Sequence, residues 1–276
     1  MPDQPLRLLI LGAHPDDAEF HAGGLAARYG RRGHTVKMIS VTNGDAGHQS
    51  LGGARLAAIR QAEAAASAAV IGATAEVWDH HDGQLQPTLE LRWQVIRELR
   101  SYKPDLVLTH RTNDYHPDHR AVGHVVRDAS YLVTVPAIVP EVPILRKDPI
   151  VAYMADHFTK PTPLQADVIL DVSEEIDAIL SMLTAHRSQF FEWLPFNRGE
   201  LDQVPADETE RRAWLAAWFL SQRAWVHQRY AQELSVLHAQ TPPRDIRLAE
   251  AYEISEYASQ LSSERKQILF CLNTEN

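Results

Sequence analysis

Arg7–Leu11 is a short apolar run stopped by Gly12, and it reads as a strand buried on both faces. A helix follows over Asp16–Gly33. Its central Gly23 and Gly24 cost helix propensity but permit close packing on a sheet. Thr35–Val41 is a second strand, ended by Asn43-Gly44-Asp45-Ala46-Gly47. Ala54–Ile71 then reads as a helix closed by Gly72, and Ala75–Trp78 as a third strand. Thr88 sits as the N-cap of a helix with Leu89, Trp93, Ile96 and Leu99 at helical spacing. Beyond Pro104, Asp105–Thr109 is a fourth strand, and another helix begins near Pro117.

Strand followed by helix, three times over, predicts a parallel sheet with right-handed crossovers. The fold class expected is α/β: a Rossmann-like three-layer sandwich with a mainly parallel sheet of order 3-2-1-4-5. The second half is less regular. Residues 134–149 hold four prolines and read as an irregular connection. Ile150–Met154 and Ala166–Leu170 are candidate further strands. Ser173 to Ile176 resembles a helix start, with Ile176, Ile179, Leu180 and Leu183 along one face. Aromatic residues crowd Phe190–Tyr230, including Trp193, Trp214, Trp218 and Trp225, and predict a helical cap packed on the sheet; lining a substrate mouth is the alternative. One domain over 1–276 is expected, with a core at 1–135 and the connection, added strands and cap at 136–276.

Composition narrows the function classes. The 276 residues are 45% hydrophobic and 23% charged, with 27 basic and 36 acidic side chains, net −9. An acidic surface argues against nucleic acid or an anionic membrane as partner, because both select clustered Lys and Arg. No ~20-residue apolar span predicts a transmembrane helix, and the opening residues lack a secretory pattern, so a cytoplasmic location is expected. The single cysteine, Cys271, excludes an intrachain disulfide and a Cys-based zinc knuckle. Histidine is the unusual component: ten of the 14 lie between His14 and His124.

Two tetrapeptides hold the candidate chemistry, His14-Pro15-Asp16-Asp17 and His116-Pro117-Asp118-His119. Each follows a predicted strand and opens a predicted helix. Alone, either is explained by helix capping, since Pro suits the first helical position and acids suit the first turn. Together they sit after strands 1 and 4, whose connections leave in opposite directions, and the crevice there is where such sheets bind ligands. His14, Asp17 and His119 then offer three ligands of the type catalytic zinc takes, leaving a position for water or substrate; iron(II) fits the same donors. Asp16 and His116 are spare acid–base groups. On a helix, Asp16 and Asp17 point about 100° apart, so one faces the metal and the other the water.

These residues resemble the LmbE-like (PIG-L) deacetylases. The likeness starts at Ala13-His14-Pro15-Asp16-Asp17 with Glu19 and Gly23-Gly24. It continues through Thr42-Asn43-Gly44-Asp45, Arg60 with Glu63-Ala64, Asp82-Gly83, His116-Pro117-Asp118-His119 and Ala185-His186-Arg187-Ser188-Gln189. It implies a zinc-dependent hydrolase removing an acetyl group from a small N-acetylated sugar or glycoconjugate. Zinc would lie on His14, Asp17 and His119, with Asp16 as general base and His116, protonated and oriented by Asp118, as electrophilic partner. Arg60, Asn43 and Asp45 are the candidate substrate contacts, against a surface salt bridge with Glu63 for Arg60 and turn formation for the other two. His21, often glycine in the family, reads as packing or a further ligand. His48 and Arg55 read as a lid, His80–Gly83 as a tight turn, and His110 and His186 as either structural or close to the site. The partner expected is a small N-acetylated molecule, and self-association into a homo-oligomer stays open. An amidase on a non-sugar amide is the alternative activity, and a non-catalytic metal-binding relative a further one. A nucleotide-binding protein is disfavoured, because Asp16 and Asp17 would repel a pyrophosphate where glycines should cradle it.

Overall fold

In a computed structural model, which describes residues 4–239 and 246–272, the chain forms one seven-stranded sheet. The strands are β1 (Arg7–Gly12), β2 (Thr35–Thr42), β3 (Thr74–His80), β4 (Leu106–Thr109), β5 (Ile150–Met154), β6 (Val168–Asp171) and β7 (Ala249–Ile254). The helices are α1 (Asp17–Arg31), α2 (Gly53–Ala69), α3 (Leu89–Tyr102), α4 (Pro117–Ala129), α5 (Ile176–Ala185), α6 (Leu194–Arg198), α7 (Glu208–Arg229), α8 (Ala231–Ala239) and α9 (Ser263–Leu269). The sheet order is β3-β2-β1-β4-β5-β7-β6. The five strands β3-β2-β1-β4-β5 are parallel and in the expected order. β7 was not foreseen. It pairs antiparallel with both β5 and β6 and closes the far side of the sheet.

Both faces are covered, as the continuous apolar runs require. Leu8 and Ile10 of β1 pack on the side holding α1, α5 and α7, while Leu9 and Leu11 pack on the side holding α3 and α4. Phe190, Leu215 and Phe219 belong to the first core and Trp214 and Trp218 pack against it, so much of the aromatic run serves as cap. Arg100 of α3 is buried and donates to the carbonyls of Leu132, Val133, Val135, Ile138, Val139 and Val142, organising the proline-rich connection from inside.

α1 breaks at Ala22, where φ is −141°. The break frees the Gly24 and Leu25 N–H groups to donate to the buried Glu250 carboxylate of β7, at 2.7 and 2.9 Å. The two glycines do permit close packing, Gly23 against α5 and Gly24 against the β6–α5 turn and Glu250 of the sheet strand β7. A Cβ on Gly23 would sit 3.3 Å from Ile179 and Met182, and one on Gly24 2.6 Å from Val172. Gly12 matters differently. A Cβ there would lie 2.8 Å from the Asp17 Cβ, so only glycine lets the β1–α1 turn fold Asp17 back over the strand end.

Candidate metal centre and active site

The β1–α1 and β4–α4 loops meet at the carboxyl edge of the sheet, between the neighbouring strands β1 and β4. His14 Nδ1 lies 3.5 Å from Asp17 Oδ2 and 3.3 Å from His119 Nε2, and His119 Nε2 lies 3.4 Å from Asp17 Oδ1. Tetrahedral zinc with bonds of about 2.0–2.1 Å separates its ligand atoms by about 3.3 Å. The pairwise contacts fall near that spacing through both Asp17 oxygens, and with one atom per residue Asp17 groups with His110 and His119, while His14 groups with His116 and His119. The His116 ring stands edge-on to that of His14 with centroids 4.5 Å apart, and the His14, His116 and His119 nitrogens gather within 4.8 Å.

What lies behind these atoms also fits a divalent cation. Asp17 Oδ2 accepts the backbone N–H groups of Ala13 (2.9 Å) and His14 (2.7 Å), with His110 Nε2 at 3.1 Å, leaving Oδ1 toward His119. His14 Nε2 lies 3.2 Å from both Asp118 Oδ2 and Asp82 Oδ1. His119 Nδ1 faces Asp114 Oδ1 at 3.1 Å. Carboxylates behind metal-facing imidazoles fix the ring orientation and make the ligand more basic. The same charges act on protonation. Burial pulls the His119 pKa down, but Asp17 and Asp114 overcome it and push it up to about 9. His14 is likewise held well above its ordinary range, burial being outweighed by Asp118, Asp17 and Asp82. Asp17 goes far below the usual carboxylate range, His119 and His110 overcoming its burial. The pocket favours positive charge at its centre.

Asp16 is not the first helical residue. It is the N-cap at φ 126°, a conformation that costs a non-glycine residue strain. Its direction is set by that backbone and by Arg60, so the expected 100° separation from Asp17 by helical phase does not apply. Burial raises its pKa to about 6, with Arg60 opposing and Asp17 adding to the rise. Arg60 is buried, so the surface pairing with Glu63 does not occur. Its Nη2 donates to the Pro15 carbonyl (2.5 Å) and lies 3.4 Å from Asp16 Oδ1. Glu63 accepts the Ser188 N–H and hydroxyl instead.

The expected pairing of Asp118 with His116 also needs correction. Asp118 Oδ2 is 3.9 Å from His116 Nδ1, too far for a hydrogen bond. The carboxylate, fully buried, serves His14 and accepts the Gly83 and Leu85 N–H groups at 2.6 and 3.1 Å. His116 Nδ1 instead accepts the Asp118 backbone N–H at 3.2 Å as the N-cap of α4. That bond leaves the ring proton on Nε2, and burial, with His14 and His119 nearby, lowers the His116 pKa. That lowering disfavours the protonated form expected of His116.

Asn43 and Asp45 build the loop after β2. Asn43 donates to Asp79 Oδ1 and accepts the Asp45 N–H, while Asp45 accepts the Asp82 N–H and lies 2.6 Å from His81 Nδ1. His48 is tied to Glu192 at 2.9 Å, whereas Arg55 is exposed. His186 is wholly buried against Glu19, at 3.0 Å. His110 stacks on His119 with centroids 3.8 Å apart, so its place is beside the centre. His21 packs edge-on to His110 and belongs to none of the candidate ligand groups among the described residues. Asp82 and Asp114 were not singled out as backing for the imidazoles. Their only signal was position, since each lies in a loop at the carboxyl edge of the sheet.

The fold and this cluster define an α/β protein with a candidate divalent-metal centre at its switch point. Residues 9–130 match the family model described as PIG-L, GlcNAc-PI de-N-acetylase, so that segment is similar to the PIG-L (LmbE-like) family. The chain is similar to 4-oxalmesaconate hydratase of Pseudomonas putida, 23% identical over 203 residues that cover 71% of this chain and 78% of that protein. Diacetylchitobiose deacetylase of Thermococcus kodakarensis is 26% identical over 203 residues, 70% and 75% of the two chains. The solved N,N'-diacetylchitobiose deacetylase of Pyrococcus horikoshii shares the fold, with a TM-score of 0.70 at 21% identity over 91% of this chain and 84% of that one.

Proposed function

We propose that the chain is a zinc-dependent hydrolase that removes the acetyl group from a small N-acetylated sugar of the N-acetylglucosamine type. The observation that carries this reading is the meeting of the His14, Asp17 and His119 side chains, with His14 Nδ1 facing Asp17 Oδ2 and His119 Nε2 facing both Asp17 Oδ1 and His14 Nδ1, beside a carboxyl group, Asp16, whose pKa is raised to about 6. Zinc, when bound, would supply Lewis acidity and make water acidic enough to attack near neutral pH; iron(II) suits the same donors.

Asp16 takes a proton from the attacking water as it adds to the acetyl carbonyl, a role that a carboxyl titrating near neutrality performs well. Arg60 holds Asp16 in place. His116, its proton on Nε2, donates to the oxygen that gains charge. Asp118 keeps His14 aligned. The leaving amine collects its proton from Asp16 or from His116. Asn43 and Asp45 shape the loop that the substrate meets, and one domain spanning 1–276 supplies both core and cap. Among the described residues no helix is long and apolar enough to cross a membrane.

A second reading has one observation in its favour, the likeness to a hydratase: the same base and cation would add water across a carbon–carbon double bond. Acetate release from a panel of N-acetylamino sugars and simple amides, run beside an unsaturated tricarboxylate, separates the two. Acetate from the sugars supports the deacetylase, acetate only from other amides moves the activity to an amidase, and hydration without acetate overturns it.

A further inference from the structure

α7 places Arg223 in the protein interior. The side chain is only 3% exposed, and its Nε and Nη2 have no hydrogen-bond partner among the described residues. Those two nitrogens carry the parallel N–H bonds of one guanidinium edge, the edge that matches the two oxygens of a carboxylate. Two further buried nitrogens, His21 Nδ1 and Trp225 Nε1, also lack partners among the described residues. The guanidinium carbon lies 5.7 Å from the Phe20 ring centre and 5.9 Å from that of Trp225, and the Phe20 and His21 rings are 5.1 Å apart. His21 in turn is 5.7 Å from the His110 ring and 6.4 Å from that of His119, so this side-chain cluster reaches the metal centre through His21.

The nearest acid does not account for the free edge. Glu250 already accepts the Gly24 and Leu25 N–H groups and the Tyr252 hydroxyl, and no hydrogen bond joins it to Arg223 Nε or Nη2. Burial lowers the pKa of Arg223, which Glu250 and Tyr252 oppose, and lowers that of His21 to about 3, with Arg223 adding to the fall. A buried cation beside a neutral imidazole, in a chain of net charge −9, marks a place built for an anion.

We infer that Arg223, with His21 and Trp225, forms a subsite for a carboxylate carried by the substrate, so that the molecule hydrolysed is an acidic N-acetylated sugar rather than a neutral one. This rests on the deacetylase reading for the identity of the substrate but not for the anion site itself. The guanidinium edge takes the carboxylate oxygens side-on, and Phe20 and Trp225 exclude water around the pair.

Two measurements test it. Calorimetric titration of metal-free protein with succinate, and separately with inorganic phosphate, reads the subsite alone. Wild type should bind succinate more tightly than phosphate, Arg223→Met should weaken succinate at least tenfold, and Arg223→Lys should recover part of the loss. The second measurement compares kcat/KM of the zinc-loaded enzyme for two N-acetylglucosamine glycosides, one with a glycolate aglycone and one with the neutral glycolamide. In Arg223→Met the charged-over-neutral ratio should fall at least tenfold. A purely structural Arg223 would lower both substrates by the same factor, and that result overturns the inference, as does wild type that ignores succinate or prefers phosphate. If Arg223→Met fails to fold, Arg223→Lys decides, since unchanged succinate affinity and an unchanged ratio there also refute it. No acetate from either glycoside defeats the deacetylase reading, while succinate binding still decides the anion site.

Discussion

Asp118→Asn isolates the carboxylate behind His14 without removing any metal-facing atom. Asp118 Oδ2 serves His14 Nε2 at 3.2 Å and the Gly83 N–H at 2.6 Å, while Oδ1 accepts the Leu85 N–H at 3.1 Å. An asparagine has one oxygen for these two sides. If its amide nitrogen faces Leu85, that buried N–H loses its acceptor. If it faces His14, the Gly83 N–H does, and the imidazole loses its charged partner. Either way one buried amide is orphaned, at about 1–3 kcal/mol of folding stability. Losing the carboxylate behind a ligating histidine costs about 10–100-fold in metal affinity, or about 1.4–2.7 kcal/mol. Zinc affinity measured by competition with a chromophoric chelator, beside thermal melting of the metal-free protein, reads the two effects separately. A variant that binds zinc within twofold of wild type would refute the role given to Asp118.

Three further outcomes follow from the same geometry. Asp16→Asn should retain zinc affinity and lose about 10²-fold or more in turnover, the scale of general base catalysis; steady-state acetate release checks it, and wild-type turnover removes Asp16 from the mechanism. Arg100→Met leaves six loop carbonyls without their shared donor and should lower stability by about 3 kcal/mol or more in urea unfolding. Asp148 has its pKa raised to about 6 by burial, which the Tyr131 N–H only partly offsets. The folded state therefore holds this proton more tightly than the unfolded chain, so stability falls as pH rises from about 4 to about 6. Asp148→Asn should flatten that fall, seen as a smaller melting-temperature difference between pH 4.5 and 7.5.

The first half of the fold was legible because each strand is a local signal. Leu8–Leu11 is apolar on both faces, and caps such as Thr88 and His116 mark helix starts by their own chemistry. β7 was not legible, because Glu250 interrupts an alanine-rich stretch and finds its partners on α1, more than 200 residues away. The connection at 134–149 reads as irregular because its order is imposed by Arg100 of α3. In the site, His14, Asp17 and His119 could be picked from their placement at the switch point. The carboxylates of Asp82 and Asp114 could not, since the Asp82-Gly83 turn and the loop residue Asp114 look the same in sequence whether or not a histidine faces them. The partner of Asp118 was misread for a related reason. Sequence adjacency to His116 suggested a pair, whereas the helix start points the Asp118 carboxylate to His14 and leaves His116 with the backbone amide.

X-ray absorption at the zinc edge of the purified, zinc-loaded protein tests the proposed centre most directly. One zinc per chain is predicted, with two imidazole nitrogens and oxygen ligands at about 2.0–2.2 Å, and His14→Ala or His119→Ala should each remove one imidazole contribution. Full zinc loading with an unaltered spectrum in both variants would contradict a metal site between β1 and β4.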